Sequence, residues 1–208
     1  MKIGVIGAGH IGGTLAGLLV KAGYDVCIAN SRGKETLSDL VAALGDRAAA
    51  GTVREVAEIC DLVIEAIPFG KLNQLPRPEL DGKILITAAN YYPGRDGVID
   101  LKGLTESEYL QRLLPKTHIA KAFNTIYYVH LQHEGDARKP LAQRRVLPFA
   151  ASDKQAEDAA RRLIEDLGFG PLFLGDLAAT RGVSQPDDLL YNKQLTLSDA
   201  ERLLKTSR

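Results

Sequence analysis

Short apolar runs alternate with helical stripes along this chain. Lys2 to Ile6 is a compact apolar run that predicts a buried strand, and Ile11 to Lys21 spaces its apolar residues for one face of a helix. The alternation then repeats. Tyr24 to Ala29 predicts a second strand, Lys34 to Leu44 a helix, and Arg47 to Ala50 a short third strand. Val53 to Ile59 predicts a helix that Thr52 can cap, and Asp61 to Ala66 a fourth strand. Ile84 to Ala88, His118 to Ala122, Arg145 to Ala150 and Pro171 to Leu174 continue the strands, while Glu106 to Leu114, Asp153 to Leu167 and Ser198 to Lys205 read as helices. Strands separated by helices pair in parallel. The expected fold is therefore α/β, a Rossmann-type doubly wound, mostly parallel sheet with helices on both faces.

A chain of 208 residues suits a single domain, 1–208, with residues 145–208 forming a small C-terminal extension of the same sheet. Its formal net charge is zero, so no general field draws it to nucleic acid or to an anionic membrane. No apolar stretch is long and unbroken enough to span a bilayer. Ile3 to Val20 superficially resembles a signal peptide, but six glycines and His10 interrupt it, which suits a turn better than a signal helix. These features predict a cytoplasmic protein whose partners are small molecules or copies of itself. Cys27 and Cys60 fall in or beside core strands without C-x-x-C spacing, and read as two small buried thiols.

The candidate chemistry begins where the first strand ends. Gly7-Ala8-Gly9-His10-Ile11-Gly12 is G-x-G-x-x-G between a predicted strand and a predicted helix, the context that a dinucleotide site requires. Gly7 permits a tight turn, Gly9 lets backbone approach a pyrophosphate, and Gly12 lets the helix sit close to the strand. The helix N-terminus points its free N–H groups at the same place.

The end of the second strand selects between cofactors. An acidic residue there accepts hydrogen bonds from a ribose and repels a 2′-phosphate. This chain instead has Asn30-Ser31-Arg32, with Lys34 close behind, offering a guanidinium fork, a hydroxyl and an ammonium to phosphate. NADP is the expected cofactor, with Glu35 the residue that opposes it. Ile67-Pro68-Phe69-Gly70 breaks the chain at the carboxyl end of the fourth strand and is expected to border the cofactor, with Phe69 packing either on a ring or within its loop. Ala89-Asn90-Tyr91-Tyr92-Pro93-Gly94 and Phe123-Asn124-Thr125 leave the next two strands at the same edge.

Taken together, the glycine turn, Asn30-Ser31-Arg32, and Leu114-Pro115 ahead of Lys121-Ala122-Phe123-Asn124-Thr125-Ile126 resemble the coenzyme F-420-dependent NADP oxidoreductase family. They are also similar to the reductase domain of the six-transmembrane-epithelial-antigen metalloreductases, which passes hydride from NADPH to a flavin. The resemblance implies that Gly7, Ala8, Gly9, His10, Ile11 and Gly12 hold the pyrophosphate, and Ser31 with Arg32 the 2′-phosphate. It implies Pro68 and Phe69 beside the dinucleotide, and Ala89, Asn90, Ala122, Phe123 and Asn124 around the nicotinamide. A homodimer is likewise implied. His10 and Tyr91-Tyr92-Pro93-Gly94 depart from the family pattern.

The reaction type follows from what the chain lacks. Enzymes with this N-terminus that reduce a carbonyl, imine or hydroxyacid need an acid or base and a closing helical domain of roughly a hundred residues, for which 208 residues are not expected to leave room. Lys121 and Tyr91 carry protons, but no paired constellation supports either as a donor. Hydride exchange with a deazaflavin or flavin (FMN or FAD) asks chiefly for orientation and exclusion of water. The leading expectation is an NADPH-dependent oxidoreductase with such an acceptor and no catalytic side chain. The alternatives are a non-catalytic NADP sensor, which would fill the acceptor slot with Tyr91, Tyr92 or Phe69, and a small-substrate dehydrogenase closed by a second subunit. His130, His133 and Glu134 form H-x-x-H-E without a nameable third ligand, and read as a solvated helix end rather than a metal site.

Overall fold

In the computed structural model, which describes residues 1–206, the chain alternates strand and helix from its first residues. It runs β1 (Lys2–Ile6), α1 (His10–Lys21), β2 (Asp25–Ala29), α2 (Ser38–Leu44), β3 (Ala48–Ala50), α3 (Val53–Ile59), β4 (Leu62–Glu65), α4 (Arg77–Leu80) and β5 (Ile84–Thr87). It continues with α5 (Pro93–Asp96), α6 (Glu106–Leu113), β6 (His118–Lys121), α7 (Tyr128–His133), β7 (Val146–Ala151), α8 (Lys154–Asp166), β8 (Gly170–Phe173) and α9 (Leu197–Thr206). Residues 207–208 of the expected C-terminal extension lie outside the described residues.

The strands form one sheet in the order β3-β2-β1-β4-β5-β6-β7-β8. Only the β6–β7 pair is antiparallel among them. This is the doubly wound arrangement, with two further strands continuing the sheet beyond β6. Its central strands are buried on both faces, so they read as continuous apolar runs rather than alternating ones. One face packs on α1 and α8 through Leu15, Leu19, Ala160, Leu163 and Ile164, and the other on α3 and α6 through Val56, Ala57 and Leu110. Thr52 and Glu55 close a reciprocal capping box at the start of α3, and Thr105 with Glu108 does the same for α6. Cys27 and Cys60 are buried free thiols, and burial pushes Cys60 up to about 11.

One expected helix breaks in two. Lys34–Leu37 is a 3-10 turn, and α2 begins only at Ser38. Gly33 stands at φ 98°, and Thr36 Oγ1 donates to the Gly33 carbonyl while accepting from Asn30 Nδ2, so side chains take bonds that an α-helix would have claimed.

Candidate functional site

The order of strands reverses between β1 and β4, and such a switch point opens a crevice beyond the carboxyl ends of the strands. Two cavities meet there, of about 480 and 390 Å3, sharing Gly9, Ala66, Ile67 and Pro68.

The glycine turn has the geometry that its sequence implies. Gly7 holds φ 109°, and a Cβ there would come within 2.5 Å of the Ala66 carbonyl oxygen. A Cβ at Gly12 would stand 1.8 Å from the Gly7 carbonyl oxygen, so the start of α1 fits against β1 only without a side chain. Gly9 differs from both. A Cβ there would meet nothing within 4 Å, because its backbone faces the open cleft, which is the cradle a pyrophosphate needs. The glycines therefore fit a dinucleotide on this observation alone.

The larger cavity extends from Gly7, Ala8 and Gly9 to Asn30, Ser31 and Arg32. Asn30 is a scaffold residue: its Oδ1 accepts the Arg32 amide at 2.9 Å and its Nδ2 donates to Thr36, which aims Ser31 and Arg32 at the cavity. The Arg32 side chain is exposed, and among the described residues its guanidinium has no carboxylate partner. Glu35, the residue expected to oppose phosphate, turns its carboxylate toward Gly33 and pairs with neither cation. Lys34 lies outside the cavity lining.

The smaller cavity is aromatic. Tyr92, Phe123, Tyr127, Tyr128 and Tyr191 line it together with Asn90, Asn124, Arg95 and Asn192. His10 reaches this cavity rather than the pyrophosphate turn alone, with its ring stacked on Tyr128 at 4.3 Å between centroids. Ile11 and Ala89 also border it. Asn90 and Asn124 brace each other: Asn90 Nδ2 donates to the Asn124 carbonyl at 2.8 Å, and Asn124 Nδ2 to Asn90 Oδ1 at 3.1 Å. Phe123 sits between them and β6 at φ 62°, a left-handed conformation rare for an aromatic residue and held here by complete burial.

Three expected site residues stand behind the walls rather than in them. Gly12 and Ala122 are fully packed, and Phe69 is buried against Tyr91 and Tyr109, with ring centroids at 5.3 and 5.7 Å. Phe69 is thus a packing residue of its loop, because it turns toward the core under α6 rather than toward the cleft. Tyr91 also leaves the cavity. Its hydroxyl donates to the Gly97 carbonyl at 2.9 Å and accepts the Ile99 amide at 2.8 Å.

Lys121 has a partner that the sequence does not name. Its ammonium lies 2.7 Å from Glu106 Oε2 and also donates to the Ala89 carbonyl, sealed beneath the cavity floor. No carboxylate and no lysine lines the aromatic cavity among the described residues.

The segment beyond β8, in which the sequence shows no motif, supplies Tyr191 and Asn192 to the cavity. Tyr191 meets the Tyr92 hydroxyl at 2.5 Å, and the Asn192 amide donates to the Thr125 carbonyl. Burial and the Tyr92 hydroxyl hold the Tyr191 phenol well above its ordinary range.

His130, His133 and Glu134 end α7, where His130 Nδ1 lies 2.5 Å from Glu134 and Arg145 takes the other Glu134 oxygen. Among the described residues no three His, Cys, Asp or Glu side chains gather as a metal cage. Nor is any helix long and apolar enough to cross a membrane among them.

Known proteins resemble this chain in sequence and fold. The sequence profile of a family described as NADP oxidoreductase, coenzyme F420-dependent, matches residues 2–91. A hypothetical protein from Sinorhizobium meliloti, known from its crystal structure, is 30% identical with a TM-score of 0.82, covering 94% of this chain and 95% of that one. A protein from Arthrobacter sp. FB24, provisionally described as an F420-dependent NADP-reductase, is 26% identical with a TM-score of 0.73, and 88% of each chain is covered. The metalloreductase STEAP3 of Rattus norvegicus is 28% identical over 186 residues. That match takes in 88% of this chain, which spans only 35% of the length of that curated relative.

Proposed function

Since the chain belongs to the coenzyme F420-dependent NADP oxidoreductase family, we propose that it transfers hydride between NADP(H) and a planar deazaflavin or flavin acceptor. The observation that carries this reading is the aromatic cavity beside Asn90, joined to the glycine-turn cavity and free of lining carboxylates and lysines. A flat heteroaromatic ring suits such walls, and hydride passing between two such rings asks for contact and exclusion of water rather than for a protein acid.

In this reading Gly7, Ala8 and Gly9 bind the pyrophosphate at the start of α1, which Gly12 lets sit close to β1, and Ser31 with Arg32, helped by the field of Lys34, bind the 2′-phosphate. Ile67 and Pro68 hold the dinucleotide where the cavities meet. Ala89, Asn90, Phe123 and Asn124 orient the nicotinamide, while Tyr92, Tyr127, Tyr128 and Tyr191 enclose the acceptor. The cofactor supplies the hydride. Of the three residues that a pure sensor would put into the slot, Phe69 and Tyr91 turn away, while Tyr92 stands in its wall beside Tyr191 around a cavity of about 390 Å3. The protein works as a cytoplasmic homodimer.

Steady-state oxidation of NADPH, with the deazaflavin coenzyme, FMN, FAD and ferric chelate plus flavin offered in parallel, tests the reading. Rapid turnover with a deazaflavin or flavin supports it, and tight NADPH binding without turnover on any of them contradicts it in favour of a sensor.

A further inference from the structure

Glu65 is the last residue of β4, and its side chain is wholly buried. It stands in register with Thr87 on β5, and Thr87 with Lys121 on β6, so three polar side chains share one face at the carboxyl edge of the sheet. Hydrogen bonds join this row to the cleft. Glu65 Oε1 accepts the Ile67 amide at 2.7 Å, and Oε2 accepts from Thr87 Oγ1 at 2.7 Å. Thr87 Oγ1 in turn accepts the Ala89 amide at 3.3 Å, and the Ala89 carbonyl accepts from Lys121. Glu106, on α6, completes the row by pairing with Lys121 and accepting the Tyr91 amide at 2.8 Å. Of the two backbone segments that border the cleft, 66–68 is thus held by Glu65 directly and 88–90 through Thr87 and, from the other side, Lys121.

We infer that Glu65 is a positioning residue for the cofactor: its carboxylate sets the Ile67 backbone that both cavities share, and protonating it loosens that backbone and weakens cofactor binding. The inference rests on the reading of the cleft as an NADP(H) site. A carboxylate is a stronger acceptor than the neutral acid, so the Ile67 amide is held best when Glu65 is charged. Burial pushes Glu65 up to about 7, against the Thr87 hydroxyl, the Ile67 amide and the positive charges of Lys121 and Arg95, so this charge changes near neutrality. Those two cations, on β6 and α5, are each paired with a carboxylate of their own, Lys121 with Glu106 and Arg95 with Asp96. The strand neighbours of Glu65, Ile6 and Thr87, carry no charge.

The test is the affinity for NADPH from pH 6 to pH 8.5, read by titration calorimetry on the wild type, Glu65→Gln and Thr87→Val. The wild type is expected to lose about three- to tenfold in affinity as pH falls, the difference between a charged and a neutral acceptor. Glu65→Gln should lack this loss, binding more weakly than the wild type at high pH and converging with it as pH falls. The 2′-phosphate itself titrates near about pH 6 in every protein, so the signal is the difference between curves. Thr87→Val removes a bond that favours the carboxylate and should move the midpoint to higher pH. The same pH profile for Glu65→Gln as for the wild type, or an unmoved midpoint in Thr87→Val, overturns the inference and leaves the cofactor assignment standing. Absence of NADPH binding at every pH overturns the cofactor assignment, and the inference with it.

Discussion

Lys121 Nζ lies 2.7 Å from Glu106 Oε2, and the two side chains are only 2% and 6% exposed. Two charges so far from water are each held by a second partner: Glu106 also accepts the Tyr91 amide, and Lys121 also donates to Ala89. Lys121→Met strands a buried carboxylate and should cost about 3 to 5 kcal/mol in urea unfolding. Adding Glu106→Gln removes the stranded charge, so the double variant should recover part of that loss. A single variant as stable as the wild type would show that the pair contributes nothing.

Gly9 and Gly12 separate binding from folding. Gly9→Val places a side chain in open cleft, so it should melt like the wild type yet bind no NADPH. Gly12→Ala drives a methyl into the Gly7 carbonyl and should destabilise by about 1 to 3 kcal/mol, seen as a lower melting temperature.

Arg32 is the place to test the choice between the two nicotinamide cofactors. With no carboxylate partner to release, Arg32→Ala should weaken NADPH about 10- to 150-fold and leave NADH nearly unchanged. Equal losses for both would remove the 2′-phosphate from this end of the cleft.

Much of this was legible in the sequence because it is local. The G-x-G-x-x-G turn, the polar end of β2 and the apolar strands each declare themselves within a few residues. The aromatic cavity does not, since Tyr92 and Tyr191 meet across 99 positions, and Tyr191 comes from the stretch between β8 and α9, which holds only a short 3-10 turn at Leu177–Thr180. Lys121 and Glu106 escaped for a similar reason: only the docking of α6 against β6 brings them together. Phe69 was ambiguous because sequence places its loop but not the direction of its ring. Glu65 left a clearer signal, a carboxylate closing the otherwise apolar strand Leu62-Val63-Ile64.

Glu65 also makes stability depend on pH, with a definite sign. Its folded pKa of about 7 lies above the ordinary 4.5, so between these values the folded protein holds a proton that the unfolded chain has released. Stability from this group is therefore complete below pH 4.5 and declines by about 3 kcal/mol as pH rises to 7 and beyond. Glu65→Gln should abolish this decline in denaturation curves of the protein without cofactor. It should be the more stable protein at pH 8 while binding NADPH less well, the signature of a group kept for function.

The most direct test of the central claim is single-turnover oxidation of bound NADPH, with hydrogen or deuterium at nicotinamide C4, on mixing with deazaflavin or flavin. Hydride transfer between stacked rings predicts a single-turnover oxidation that deuterium slows, with the label retained at the receiving carbon of the deazaflavin. Bound NADPH that none of these acceptors oxidises would contradict the account and leave a protein that reads the cofactor without using it.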